Sequence, residues 1–311
     1  MNFPTYFSSK KSLNLFGLCE NFNFLKKLYI SEKLPQVLML SGRKGSGKAT
    51  LINHLMFFIF DKENYNENNK EINKDTIFYN QFINNICSNI IYLSGNDFKN
   101  SKIEDIRNLK KKIFQSSILD KPRFIIFDDV ELFNNNTLNA LLKIIEEPTK
   151  KNYFFLINNN SMPLIETIKS RCLDIKIILS NQKKLDITTS LIKKFNINLI
   201  LDPKTAKLSP GQFIKFNYVY DKNGISLDED FLKNLGILLN LYKKNKDILF
   251  IDMVLFLTDN YFNRLRNKNS FPNDKIVEYK RFVFDNINKF FLYNLNQNAL
   301  LNNINSKIND E

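Results

Sequence analysis

The residues most able to do chemistry in this sequence lie between Gly42 and Thr50, in the glycine-rich segment Gly-Arg-Lys-Gly-Ser-Gly-Lys-Ala-Thr. The apolar run Val37–Leu40 precedes it and a helical pattern follows it, so it is predicted to join a strand to a helix. Glycines let backbone amides close around a phosphate, and a helix N-terminus adds positive potential. The predicted nucleotide-binding residues are Gly42, Gly45, Ser46, Gly47, Lys48, Ala49 and Thr50.

One position of this phosphate loop departs from the usual pattern. Lys48 is placed to reach the β- and γ-phosphates, and the next residue normally supplies a hydroxyl that binds Mg²⁺. Here that residue is Ala49, and Thr50 comes one place late. We therefore expect that the chain can bind ATP, whereas its hydrolysis of ATP is in doubt.

A second candidate site follows the apolar run Phe124–Phe127, where Asp128 and Asp129 stand side by side. A carboxylate at the end of a buried strand can hold Mg²⁺ opposite a phosphate loop, and Asp128 is assigned that role. Hydrolysing enzymes usually carry Glu at the next position to polarise water. Asp129 is shorter, and a misplacement of about 1 Å can cost on the order of a hundredfold. The alternative is a simple turn at a strand end.

Composition and charge limit the classes of protein to consider. The 311 residues, 43% of them hydrophobic, suffice for two or three domains. The net charge of +13 fits a polyanionic partner, although a Lys- and Asn-rich bias of the whole genome would have the same effect. No signal peptide or membrane-spanning run is found, so we expect a cytoplasmic protein with no membrane partner. The scattered Cys19, Cys87 and Cys172 support neither disulfides nor a zinc site.

Apolar runs alternate with helical patterns along the first two thirds of the chain, which predicts an α/β fold with a parallel sheet covered on both faces. The polar stretch Asp61–Asn85 is predicted to be a mobile insertion with a weak helix at its end. The predicted strands are Val37–Leu40, Ile90–Leu93, Phe124–Phe127, Phe154–Ile157 and Ile175–Leu179. The predicted helices are Ile103–Phe114, Thr137–Glu147, Phe231–Tyr242, Ile248–Arg266 and Lys275–Leu295.

Several motifs together resemble one family. The run Asn139–Pro148, then an apolar strand and Ser170-Arg171-Cys172, is similar to the clamp-loader branch of the AAA+ ATPases, in particular to delta-prime subunits of bacterial DNA polymerase III. The likeness covers about residues 13–180. It implies a five-stranded AAA+ module over 1–179, a small lid over 180–222 and a helical collar over 223–311. The partners it implies are the gamma/tau and delta subunits, the sliding clamp and primer–template DNA.

The resemblance also assigns roles to individual residues. Arg171 would reach across a subunit interface to a phosphate bound by the neighbour, as an arginine finger acting in trans, which its planar fork suits. Asn158 or Asn159 would stand at a sensor position at a strand end. Gln212 would stand where active members carry a phosphate-sensing Arg, and Lys110–Lys112 would face DNA.

Three of these positions favour weak hydrolysis. Ala49, Asp129 and Gln212 each replace a group that active members use, which predicts a stator-like subunit with weak or absent ATPase activity of its own. The family's zinc cysteines are reduced to Cys87 in the matching region, so no zinc is expected. Two alternatives remain, an active gamma/tau-like AAA+ ATPase and a small-molecule kinase with the same type of loop.

Overall fold

The computed structural model describes residues 4–95, 121–148, 151–267 and 272–309. The chain forms two compact units. The α/β unit comprises Phe3–Phe195 with Pro203–Ile214, and the helical unit comprises chiefly Asn196–Asp202 with Lys215–Glu311. The predicted lid, 180–222, is thus shared between the two units, and the three-domain division stays a prediction. Among the described helices, none is both long and apolar enough to cross a lipid bilayer.

The α/β unit is built on the predicted five-stranded parallel sheet. Its strands are β1 (Val37–Ser41), β2 (Ile90–Ser94), β3 (Arg123–Asp128), β4 (Asn152–Asn158) and β5 (Leu173–Lys176). They lie side by side in the order β2-β3-β4-β1-β5. Because the carboxyl ends of parallel strands meet at one edge of a sheet, the phosphate loop after β1 and Asp128 at the end of β3 open at the same edge.

Helices cover both faces of this sheet, because alternate strand residues point to opposite sides. Leu38 and Leu40 of β1 share one core with α1 (Cys19–Ile30), α2 (Lys48–Phe60) and α3 (Ile77–Ile83). Val37 and Met39 share the other core with α4 (Asn135–Ile145) and α5 (Glu166–Lys169). The unit also contains α6 (Asn181–Phe195). The two-sided packing explains why the central strands read as continuous apolar runs.

The clearest helix of the sequence, predicted over Thr137–Glu147, is confirmed as α4, which starts earlier at Asn135 and ends earlier at Ile145. The Asn134 side chain caps it by accepting a hydrogen bond from the Thr137 amide at 2.9 Å. The predicted helix Ile103–Phe114, with Lys110–Lys112, lies outside the described residues.

The last strand differs from its predicted bounds of Ile175–Leu179, because β5 covers Leu173–Lys176. Its partner β1 ends at Ser41, where the chain turns into the phosphate loop, so the later apolar residues have no strand to pair with. Ile177 donates one further backbone hydrogen bond to Ser41 at 2.7 Å, and the ladder stops there.

The polar insertion Asp61–Asn85 is packed onto the core, contrary to the predicted mobile segment. Tyr65 and Ile72 are buried in the same core as α2. The Ile72 amide donates to the Leu13 carbonyl at 2.8 Å. Only the weak helix at the end of the insertion was predicted correctly, as α3. Isolated apolar residues anchor this stretch although its average composition is polar.

The helical unit contains α7 (Pro210–Asn223), which starts in the α/β unit, then α8 (Phe231–Asn245), α9 (Ile248–Asn267), α10 (Asn273–Tyr293) and α11 (Gln297–Asn309). The three predicted helices correspond to α8, α9 and α10. Helix α8 packs on α9, α9 on α10, α10 on α11, and α11 returns to α8. Helix α11 was not predicted, because its apolar residues are sparse, although Leu300 and Ile304 are buried.

Candidate functional site

The phosphate loop has the predicted strand–loop–helix setting. Gly47 is the N-cap of α2 with a φ of 93°, and Gly45 has a φ of 79°, both in the region that favours glycine. Because Gly47 has no side chain to cap α2, the first amides of the helix depend on another acceptor, which a phosphate can supply. The Gly42 amide donates to the Asn158 carbonyl at 3.1 Å, which ties the loop to β4. Ala49 packs against the core.

Lys48 is held beneath the loop, with a side chain only 2% exposed. Its ammonium donates to the carbonyls of Gly42 at 2.6 Å and Arg43 at 2.9 Å, and to the Ser46 hydroxyl at 3.4 Å. Burial lowers the pKa of Lys48 to about 8, although the nearby carboxylates, Asp128 first, act in the opposite direction. The positive charge is therefore placed between the loop and the carboxylates of β3.

The start of α7, together with the preceding Ser209, lies directly on the phosphate loop. Within the α/β unit, the Gly211 amide donates to the Gly45 carbonyl at 2.9 Å, and the Ser209 hydroxyl donates to the Lys44 carbonyl at 2.6 Å. A Cβ atom at Gly45 would come within 2.5 Å of the Ser209 hydroxyl, so only glycine allows this approach. At the predicted sensor position, the Gln212 backbone amide donates to the Ser209 hydroxyl at 3.4 Å, and the side-chain oxygen of Gln212 lies 3.1 Å from the same hydroxyl.

The carboxylates after β3 gather at the same edge of the sheet. Asp128 accepts hydrogen bonds from the Asp129 amide at 3.0 Å and from the Tyr92 hydroxyl, one on each carboxylate oxygen. Burial, reinforced by the charge of Asp129, raises the pKa of Asp128 to about 6. Asp129 has a left-handed backbone with a φ of 53°, and its carboxylate accepts a hydrogen bond from the Asn159 side chain.

Of the two asparagines predicted for a sensor position, Asn159 is the one that contacts Asp129. The side-chain oxygen of Asn158 accepts instead from the Asn160 amide at 2.9 Å, which shapes the turn after β4. The choice between them could not be made from the sequence, because it depends on where β4 ends relative to β3.

Glu131 is a buried carboxylate that the sequence analysis missed. It is 5% exposed and accepts from the Asn159 amide at 3.1 Å and from the Ser161 hydroxyl at 2.7 Å. It thereby ties the turn after β4 to the end of β3. The available signal was an acidic residue between the apolar Val130 and Leu132. We call the phosphate loop with Lys48, Asp128, Asp129 and Glu131 the loop cluster.

Arg171 is exposed and lies in the turn between α5 and β5. Its guanidinium forms an ion pair with Glu146 at 2.8 Å and donates to the Thr167 carbonyl at 2.8 Å and to the Ser170 hydroxyl at 3.5 Å. We call these four residues the Arg171 edge. The neighbouring Cys172 is packed, and burial raises the pKa of its thiol to about 12, as expected for a structural residue.

The loop cluster fits a phosphate better than a Mg²⁺ ion. Protein sites for Mg²⁺ use one or two carboxylates together with phosphate oxygens and water. Both oxygens of Asp128 already accept hydrogen bonds from the chain, and Ala49 offers no oxygen. Within the described ranges, no group of three or more His, Cys, Asp or Glu side chains is placed to hold a metal ion.

Comparison with known proteins decides the family. The sequence model of the family described as DNA polymerase III, delta subunit, matches residues 19–181. The chain belongs to this clamp-loader family. DNA polymerase III subunit delta' of Buchnera aphidicola subsp. Schizaphis graminum is 34% identical over 155 residues, which are 49% of this chain and 45% of that protein.

Other members of the clamp-loader family match less strongly. Subunit delta' of Buchnera aphidicola subsp. Acyrthosiphon pisum is 28% identical over 199 residues, 59% of this chain and 60% of that protein. The gamma subunit of the same organism is 26% identical over 153 residues, 49% of this chain and 41% of that protein. The chain thus spans about half the length of the curated relatives it matches.

Two solved structures with low sequence identity resemble this chain distantly. A DNA polymerase III gamma subunit-related protein from Thermotoga maritima has a TM-score of 0.45 and 17% identity, covering 90% of this chain and 96% of its own. The Bacillus subtilis clamp loader delta protein has a TM-score of 0.35 and 12% identity, covering 91% and 98%. Neither likeness supports a functional argument. Family membership, with the five-stranded parallel sheet and the helical unit, confirms the expected AAA+ fold class.

Proposed function

We propose that the chain acts as a delta-prime, stator-like subunit of a DNA polymerase III clamp loader and helps to load the sliding clamp onto primed DNA. The observation that carries this proposal is the exposed, oriented Arg171. In this role Arg171 reaches the nucleotide of a neighbouring gamma/tau subunit, and the delta subunit completes the assembly. Membership of the clamp-loader family supports these partners.

The geometry of the Arg171 edge suits a group that acts on another subunit. Glu146 and the Thr167 carbonyl orient the guanidinium, but the contacts described use only part of its five N–H donors. The remaining N–H groups can donate hydrogen bonds to the oxygens of an incoming phosphate. A planar, permanently charged fork at the protein surface matches this task better than an ammonium group.

The phosphate loop of this chain binds nucleotide but hydrolyses ATP weakly. The glycines, the N-terminus of α2 and Lys48 retain what phosphate binding needs. Hydrolysis also requires an activated water and stabilisation of transition-state charge, and both are weakened here. Asp129 is short and held by Asn159, and the neutral Gln212 cannot replace a guanidinium.

The distribution of charge supports primer–template DNA as a partner of the α/β unit. This unit carries 31 basic and 19 acidic residues, a net charge of +12, whereas the helical unit has a net charge of +1. A Lys-rich bias of the whole genome would raise the charge of both units alike. The asymmetry therefore favours a polyanion at the α/β unit.

The deciding experiment uses the complex assembled with the gamma/tau and delta subunits, the sliding clamp and primed DNA. Arg171→Ala should slow single-turnover ATP hydrolysis at the neighbouring site by about a thousandfold or more. Arg171→Lys should recover only part of the rate, because it keeps the charge and loses the fork. Lys169→Ala, two residues away in an exposed ion pair with Glu166, is the matched control and should leave the rate unchanged.

Two outcomes would contradict the proposal. If Arg171→Ala left clamp-stimulated turnover unchanged in a fully assembled complex, the trans-acting role would be wrong. If the isolated chain hydrolysed ATP at rates typical of motor ATPases and Lys48→Ala abolished them, the active-ATPase alternative would replace the stator.

A further inference from the structure

Tyr92 is a polar residue of the α/β unit with no role so far. It lies on β2, where Ser94 pairs in register with Asp128 on β3. Its hydroxyl donates a hydrogen bond to Asp128, and the Ser9 side chain hydrogen-bonds the same hydroxyl. The Lys10 ammonium lies 4.3 Å from the centroid of its ring. Contacts on several sides thus fix the Tyr92 hydroxyl against the carboxylate.

With the Tyr92 contact, each oxygen of Asp128 accepts one hydrogen bond from the chain. One carboxylate oxygen accepts from the Asp129 amide at 3.0 Å, and the other accepts from Tyr92. A Mg²⁺ ion at Asp128 would have to share its carboxylate oxygen with the donor already there, and Mg²⁺ demands near-ideal octahedral geometry. A hydrogen bond to a charged carboxylate is also among the stronger kinds, so displacing it is costly.

Ala49, in the phosphate loop, is a second feature that weakens binding of a Mg²⁺ ion at Asp128. The residue after the loop lysine ordinarily places a hydroxyl on Mg²⁺, and Ala49 cannot do so. Ala49 and Tyr92 both pack against the core on one face of the sheet. The hydroxyl ligand is therefore absent at Ala49, and Tyr92 occupies the carboxylate ligand Asp128. The positive charge of Lys48 also acts on the same carboxylate.

We propose that Tyr92 takes the place of a metal ion at Asp128, so that the loop binds nucleotide phosphates without a bound Mg²⁺. Tyr92 is then the residue that determines metal dependence, and the ligand is a metal-free nucleoside di- or triphosphate held by Lys48 and the loop amides. This inference rests on one part of the proposed function, namely that the loop binds nucleotide phosphates. It does not depend on the role of Arg171.

The test measures Mn²⁺ binding to the full chain by electron paramagnetic resonance, with and without ATP. Wild type and Asp128→Asn should bind Mn²⁺ equally weakly. Tyr92→Phe should bind at least about tenfold more tightly, and the gain should disappear in Tyr92→Phe combined with Asp128→Asn. Tyr65→Phe is the matched control, because it removes another buried hydroxyl that contacts His54 instead of Asp128.

A fluorescent ATP analogue tests the phosphate assignment separately. Wild type should bind it equally well in EDTA and in Mg²⁺, and Lys48→Ala should abolish binding. If wild type failed to bind it, the phosphate assignment would be wrong, while the Mn²⁺ measurement would still test Tyr92.

The role of Tyr92 would be overturned if Asp128→Asn weakened Mn²⁺ binding of wild type tenfold, or if folded Tyr92→Phe gained no affinity. Should Tyr92→Phe fail to fold, the comparison of wild type with Asp128→Asn still tests whether Asp128 is available to a metal ion, and a tenfold difference between them would overturn the proposal. Adding Ala49→Thr to Tyr92→Phe should increase the Mn²⁺ affinity further, because it restores a hydroxyl to the loop.

Discussion

The loop cluster and the Arg171 edge belong to the same unit, but the charged side chains are buried in the first and exposed in the second. In the loop cluster, Lys48 is 2% and Glu131 is 5% exposed, and each is bound by several groups of the chain. At the Arg171 edge, the side chains of Arg171 and Glu146 are 37% and 44% exposed. Buried contacts cost much to exchange, whereas exposed ones cost little, so the edge is the better place for a group that must engage a partner.

The two regions also differ in their effect on stability. Burial disfavours the charged forms of both Lys48 and Asp128, lowering the pKa of one and raising that of the other. The loop cluster therefore keeps charges where an uncharged side chain would be more stable, which is common at functional sites. The Arg171 edge meets water and has no such cost.

Glu131→Ala should have the largest effect on stability. The change removes a buried carboxylate that accepts from the half-buried Asn159 amide and from the exposed Ser161 amide. We expect a loss of about 3 kcal/mol in the free energy of unfolding, measured by urea denaturation. Glu131→Gln keeps one acceptor oxygen and should lose less. A loss below about 1 kcal/mol for the alanine variant would remove the contrast between the two regions.

Asp128→Asn should have a smaller effect of opposite sign. The pKa of Asp128 is raised to about 6 in the folded chain, so its charged form destabilises the fold. That cost is absent below pH 4, grows as the pH rises, and is complete above pH 6. The variant should therefore be more stable than wild type by about 2–3 kcal/mol at pH 7 and equal to it near pH 3.5.

Thermal unfolding at the two pH values measures the effect of Asp128→Asn. Asp174→Asn is the control, since Asp174 is an exposed carboxylate that accepts from the Ser41 hydroxyl at 2.9 Å. A variant that lost stability at pH 7 would show that Asp128 supports the fold instead of straining it.

Glu146→Ala should have the smallest effect on stability. An exposed ion pair contributes about 0–1 kcal/mol, so the free energy of unfolding should change by less than about 1 kcal/mol. Glu166→Ala, which removes the exposed partner of Lys169, should behave alike. A loss above about 2 kcal/mol at Glu146 would mean that the Arg171 edge holds the fold together, which would argue against its availability to a neighbour.

Much of the α/β unit could be predicted because its signals are local. The apolar runs of β1 to β4 and the Gly42–Lys48 loop have patterns that depend on neighbouring residues only, and the structure agrees with them. The bounds of β5 were wrong, because a strand ends where its partner ends, and Ser41 is distant in sequence. The packing of Asp61–Asn85 was missed because single residues such as Tyr65 anchor it.

The amino-acid sequence by itself determined the order of strands and helices, the glycine-rich loop, the departures at Ala49, Asp129 and Gln212, and the motifs of the family. Only the tertiary structure decided which side chains meet. The contacts of Tyr92 with Asp128, of Glu131 with the turn after β4, and of Arg171 with Glu146 all join distant parts of the chain. The physical reason is that strand register and helix docking determine which side chains come into contact, and neither can be predicted from a short stretch of residues.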